Sequence, residues 1–164
     1  MRPRLHVERL FRETPGVHFS DIWVKGQNGL DLVHHKGKAI SPPVDGGKQW
    51  YVHKHQTDIN RVIWGRRVFE LFYTGFMHPR WYVMLDEETG GLEIPPGCLH
   101  RSVSCAEGSI LLNQAIRDEE FDEKQEFFPV FSVHASKHEP RFLGNKEMII
   151  KFLRKNGDIG IPAL

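Results

Sequence analysis

From Lys48 onward the chain is a succession of short β-branched and aromatic runs, and few folds accept such a pattern. The runs occupy residues 49–55, 61–64, 67–73, 80–85, 91–94, 109–116 and 127–133, with Gly, Pro or charged turns between them. Many short strands at regular spacing are the signature of a sandwich or barrel. Trp64-Gly65-Arg66 reads as a tight turn between two of them, with glycine supplying a conformation that bulkier residues resist.

The flanks differ in texture. Residues 1–47 are broken by Gly26, Gly29, Gly37, Pro42-Pro43 and Gly46-Gly47, and read as an N-terminal arm with one or two edge strands. The adjacent His34-His35 belong to a loop on this reading. Residues 135–164 form a tail with one helix at about 146–155. Asn145 caps it, Met148, Ile149, Phe152 and Leu153 form its apolar stripe, and Gly157 stops it. The division is therefore an arm at 1–47, a barrel at 48–134 and the tail.

A chain of 164 residues is expected to form one domain. At that size roughly 70% of the unfolded surface can be buried without disulfides. A net charge of +1 argues against a nucleic-acid module, which needs a basic face. No apolar run approaches the ~20 residues needed to cross a bilayer, and the start lacks the apolar region of a signal peptide. With two cysteines, Cys98 and Cys105, the simplest expectation is a reduced, cytoplasmic protein.

Chemistry concentrates on histidines. Positions i and i+2 of a strand share a face, so His53 and His55 would aim two imidazoles into one space. His100 follows the turn Pro95-Pro96-Gly97 and offers a third. Imidazole is the commonest transition-metal ligand and the usual proton shuttle near neutral pH.

These residues resemble the cupin superfamily, an all-β fold built as a double-stranded β-helix, or jelly-roll barrel. His53-Lys54-His55 with Asp58 and Gly65 is similar to its first motif, and Pro95-Pro96-Gly97-Cys98-Leu99-His100 with Asn113 to its second. The likeness covers about residues 48–134. Two departures stand out: the acid is Asp58 where the family has Glu, and it comes sooner than usual. Within the superfamily, the stretch from Val83 to Asn113 looks most like dTDP-sugar epimerases and ketoisomerases, which use a barrel-lining histidine as a base without metal.

Two chemistries follow from the resemblance. Under the first, the chain epimerises or isomerises a sugar or nucleotide sugar, with His53, His55 and His100 as acid–base groups. Tyr73 is then a candidate to return a proton, and Arg61, Arg67, Lys54 and Trp64 are candidates to hold the substrate. Under the second, His53, His55, Asp58 and His100 bind one divalent transition metal, Fe, Mn, Ni, Zn or Cu, as in a dioxygenase or isomerase. A third reading is a small-ligand barrel without catalysis. The expected partners are a small-molecule substrate and a second copy in a homodimer, with no nucleic acid and no membrane.

Overall fold

The computed structural model describes residues 8–74, 79–131 and 138–156. One antiparallel sheet dominates them, and two unusually long strands organise it. β6 runs Gln56–Phe72 and β9 runs Leu99–Arg117, and they pair along almost their whole length. β1 (Arg9–Thr14), β2 (Val17–Lys25) and β3 (Asn28–His35) extend the sheet from β9. β4 (Ile40–Ser41) also pairs β9, while β7 (Trp81–Asp86) and β8 (Leu92–Ile94) pair β6. β11 (Arg141–Leu143) joins β7 in parallel, and a small second sheet pairs β5 (Gln49–Trp50) with β10 (Val130–Phe131).

A strand of seventeen residues stays in a closed structure only if it bends, and β6 does so at Gly65. The register with β9 shifts between Val62 and Trp64 and again between Gly65 and Arg67. Gly65 has φ 77° and Gly108 on β9 has φ 86°, so two bends face each other. A Cβ on Gly65 would lie 2.6 Å from the Gly108 carbonyl oxygen. The expected turn at Trp64-Gly65-Arg66 is thus a bulge within a continuous strand. Its effect is to change which residues point inward: Asp58, Asn60 and Val62 before it, Arg67, Phe69 and Leu71 after it.

Residues 8–47, the described part of the N-terminal segment, contribute β1 to β4 to the sheet. Their glycines are hairpin turns, Gly16 at φ 73° and Gly26 at φ 62°, and β3 alternates buried and half-buried along its length. Val17, Phe19 and Val33 therefore enter the central core with Val62, Phe69, Leu85, Ile94 and Leu111. His35, expected in a loop, lies in β3 and is fully buried, its Nδ1 2.9 Å from Ser104 Oγ.

On the outer face, α2 (Lys146–Lys155) packs Ile149, Phe152 and Leu153 against Val68, Tyr82 and Val103. Asn145 caps it by accepting from the Met148 N–H. A third cluster joins Trp50, Phe72 and Leu99 beneath the small sheet. Among the described residues, no helix is long and apolar enough to cross a membrane.

Candidate metal centre

Two strands and one loop bring His53, Asp58 and His100 together at one end of the barrel interior. Asp58 comes from β6 and faces inward with Gln56 and Asn60. His100 is the second residue of β9, and its backbone bridges Tyr51 through two hydrogen bonds of 2.9 Å. His53 lies just outside a strand, its carbonyl accepting from the Gly97 N–H at 2.8 Å. The Pro-Pro-Gly turn therefore places His100 and also anchors His53.

All three side chains are buried, and their hydrogen bonds leave one donor atom on each. His53 Nδ1 lies 3.0 Å from the Glu126 carbonyl oxygen, and His100 Nδ1 lies 3.1 Å from that of Cys98. A carbonyl only accepts, so both Nδ1 atoms carry hydrogen and both Nε2 atoms are free to act as ligands. Asp58 Oδ1 accepts from Gln56 Nε2 at 2.6 Å and Asn113 Nδ2 at 2.9 Å. Its Oδ2 faces His53 Nε2 at 3.3 Å and His100 Nε2 at 3.8 Å. Ligands about 2.1 Å from one tetrahedral ion sit about 3.4 Å apart, so the donors already have near-ligand spacing.

Electrostatics favour a cation among them. Burial alone would raise the Asp58 carboxyl, but His53, His100 and the Asn113 amide hold it well below the usual carboxylate range. Burial opposes a charge on His53, yet Asp58 and Glu126 outweigh it and raise the imidazole. Burial and the charge on His53 push His100 down to about 4. The trio thus keeps its carboxylate ionised and His100 neutral at physiological pH, while His53, favoured in its charged form by Asp58, would release its Nε2 proton when a metal binds.

Glu126 supports the arrangement from a distance. It ends α1 (Glu123–Glu126), is buried, and accepts from the Lys54 N–H at 2.8 Å and the His55 N–H at 3.2 Å. Nothing in the acidic run around it marks that role. Arg12 on β1 is the other residue that sequence reasoning missed. Its guanidinium carbon lies 4.7 Å from the Tyr51 ring and 5.1 Å from the Phe127 ring, and those rings border His100 and His53.

No protein-family model matches this chain, and no curated protein matches it. Solved structures do share its path. The capsular polysaccharide assembling protein CapF from Staphylococcus aureus superposes with a TM-score of 0.55 at 14% identity, over 76% of this chain and 34% of its own. A variant of oxalate decarboxylase from Bacillus subtilis gives 0.53 at 15% identity, over 74% and 30%. The cupin domain of Drosophila melanogaster CENP-C gives 0.52 at 16%, over 65% and 70%. The chain has the cupin fold. It spans about a third of the length of CapF and of oxalate decarboxylase, and the shared path with all three is one of fold alone.

Within this fold, the other expected site residues lie apart from the buried trio. His55 turns outward, its Nδ1 3.1 Å from Asp118 Oδ2, because residues 52–55 leave the strand and lose its alternation. Lys54 and Arg61 are exposed, Trp64 is 45% exposed and Tyr73 38% exposed. Arg67 is buried inside the barrel, where its Nε donates to Ser109 Oγ at 3.0 Å and its Nη2 to the Val33 carbonyl at 3.2 Å. Cys98 contributes its carbonyl to His100, while burial pushes its thiol up to about 11.

Proposed function

We propose that this cupin is a mononuclear metal-dependent enzyme for a small-molecule substrate, with His53, Asp58 and His100 as its protein ligands. The observation that carries the reading is the pattern of leftover donors. Each of the three side chains has its other polar atom occupied by a carbonyl or amide, and the remaining Nε2, Nε2 and Oδ2 converge. Carbonyl partners of that kind fix imidazole orientation and tautomer in metal sites. Two histidines and one carboxylate suit Fe(II), and also Mn, Ni or Zn. Such an ion, when bound, supplies a Lewis acid with open positions for substrate or water.

The chain's own residues would do the rest. Gln56 and Asn113 hold the carboxylate plane, Glu126 and Cys98 hold the two rings, and Tyr51 and Phe127 wall the space beside them. The Asn113 Oδ1 is buried with no hydrogen-bond partner among the described residues, so it is available to a bound molecule.

A second reading has one observation of its own. His53 Nε2 and Asp58 Oδ2 already stand 3.3 Å apart as an ion pair, which suits metal-free proton transfer next to a sugar carbonyl. Elemental analysis of untagged protein separates the two. Near-stoichiometric metal, lost in His53→Ala and His100→Ala, supports the centre. Metal absent after anaerobic reconstitution, together with thermal stabilisation by a dTDP-sugar, supports acid–base catalysis instead. The expected homodimer is part of the proposal, and light scattering tests it.

A further inference from the structure

We infer that the site takes a substrate bearing a carboxylate, and that Arg12 receives that carboxylate. The inference rests on reading His53, Asp58 and His100 as the reactive centre.

Arg12 reaches the interior through a bulge. The β1–β2 register skips from Leu10 opposite Ser20 to Arg12 opposite Phe19, which turns the arginine toward the core beside Phe19. Its guanidinium carbon then lies 3.8 Å over the Phe19 ring, with Tyr51 and Phe127 close by. Aromatic faces suit the flat faces of a guanidinium but leave its edge donors unsatisfied. One Nη1 contact to the Phe127 carbonyl is long, at 3.5 Å, and Nε is buried with no hydrogen-bond partner. Among the described residues no carboxylate stands within ion-pair distance of it.

Arg67 shows what a purely structural arginine looks like in this interior. It is fully buried, more so than the half-buried Arg12, and it donates to Ser109 Oγ, to the Ser109 carbonyl and to the Val33 carbonyl. Arg12 has no such set. Burying an unpaired cation is costly, and such groups are retained where a ligand completes them. Burial lowers the Arg12 pKa, and the field of Asp58 is among the influences that oppose this.

The location gives the open donors a purpose. Phe127 borders both Arg12 and His53, with its ring 5.6 Å from the imidazole, and Tyr51 borders both Arg12 and His100, at 6.2 Å. A small anion between these two rings would meet the guanidinium on one side and the His53–Asp58–His100 face on the other. Guanidinium presents a planar fork that a planar carboxylate matches in two parallel bonds. A neutral polyol leaves the charge unanswered.

The test is calorimetric titration of the full chain, metal-loaded and chelator-treated, with pyruvate, glycolate, the neutral analogue glycolamide and inorganic phosphate. The inference predicts that both carboxylates bind more tightly than glycolamide or phosphate. Arg12→Met, which keeps an apolar stem among the rings, should weaken them at least about ten-fold, with metal content unchanged. Arg12→Lys keeps the charge without the fork and should fall between. Carboxylate affinity indifferent to both substitutions, or glycolamide or phosphate binding as well as pyruvate, overturns the inference. If the wild type takes up no metal, the ligand assignment fails, and Arg12 is judged by the same titration on the metal-free chain.

Discussion

The imidazoles of His53 and His100 lie with ring centroids 5.1 Å apart, and both aim Nε2 at one oxygen of Asp58. They are 47 residues apart in the chain, and neither owes its position to the other. His53 is held by Glu126 and Gly97, while His100 is held by Tyr51 and by the carbonyl of Cys98. Because each ring is fixed separately, the gap between them is preorganised before anything enters it.

The clamp on the His53 loop should be separable from the ligands themselves. Glu126→Gln retains one carbonyl-type acceptor for the Lys54 and His55 N–H groups, whereas Glu126→Ala leaves both part-buried donors without one. Glu126→Ala is expected to weaken metal binding by about ten- to a hundred-fold while Glu126→Gln stays closer to wild type. Competition with a chromophoric chelator measures both.

Arg67 is expected to matter for stability and not for the ligand site. Removing it with Arg67→Ala opens a void and takes a donor away from the Val33 and Ser109 carbonyls. The expected cost is about 3 kcal/mol or more by urea denaturation. Metal content of the folded fraction should not change.

The bend in the two long strands depends on Gly108 more than on the turn glycine at the site. A Cβ on Gly108 would lie 2.4 Å from the His35 carbonyl oxygen and 2.7 Å from the Gly37 nitrogen, whereas one on Gly97 meets open space. Gly97→Ala pays only for its φ of 77°, about 1–2 kcal/mol. Gly108→Ala adds backbone collision to a similar φ and should fail to give soluble, folded protein, or should lose several kcal/mol. Thermal denaturation of the pair checks the difference.

Asp31 sets a pH dependence. It is buried on β3 opposite Asp21 on β2. Burial pushes its carboxyl up to about 7, with Arg117 opposing the shift and the hydrogen bond to Asp21 adding to it. An unfolded aspartate titrates near 3.9, so between about pH 4 and 7 the folded state holds the proton more firmly. This contribution to stability is fully present below the unfolded value and is lost as pH rises through the folded one. Asp31→Asn, which imitates the protonated acid, should therefore gain on wild type between about pH 5 and 8. Urea midpoints across that range that move in parallel for both proteins would refute it.

Much of the fold is legible in the chain, and the reasons that the rest is not are local. Short β-branched runs mark an all-β barrel, Pro95-Pro96-Gly97 marks the turn before His100, and the Asn145 cap with its apolar stripe marks α2. Strand alternation fails at His53-Lys54-His55 because the segment is anchored by Glu126, more than seventy residues away, and not by a ladder. It fails at Arg67 because the bulge at Gly65 reverses which residues point inward. Arg12 escaped because the N-terminal segment reads as irregular, whereas Gly16 and Gly26 turn the hairpins that join β1, β2 and β3 into the sheet.

The central claim is that Asp58, and not His55, completes the site with His53 and His100. Metal content of reconstituted, untagged His55→Ala and Asp58→Ala, each checked for folding by circular dichroism, tests it most directly. The account predicts near one equivalent retained in His55→Ala and lost in Asp58→Ala. Loss in His55→Ala with retention in Asp58→Ala would contradict it.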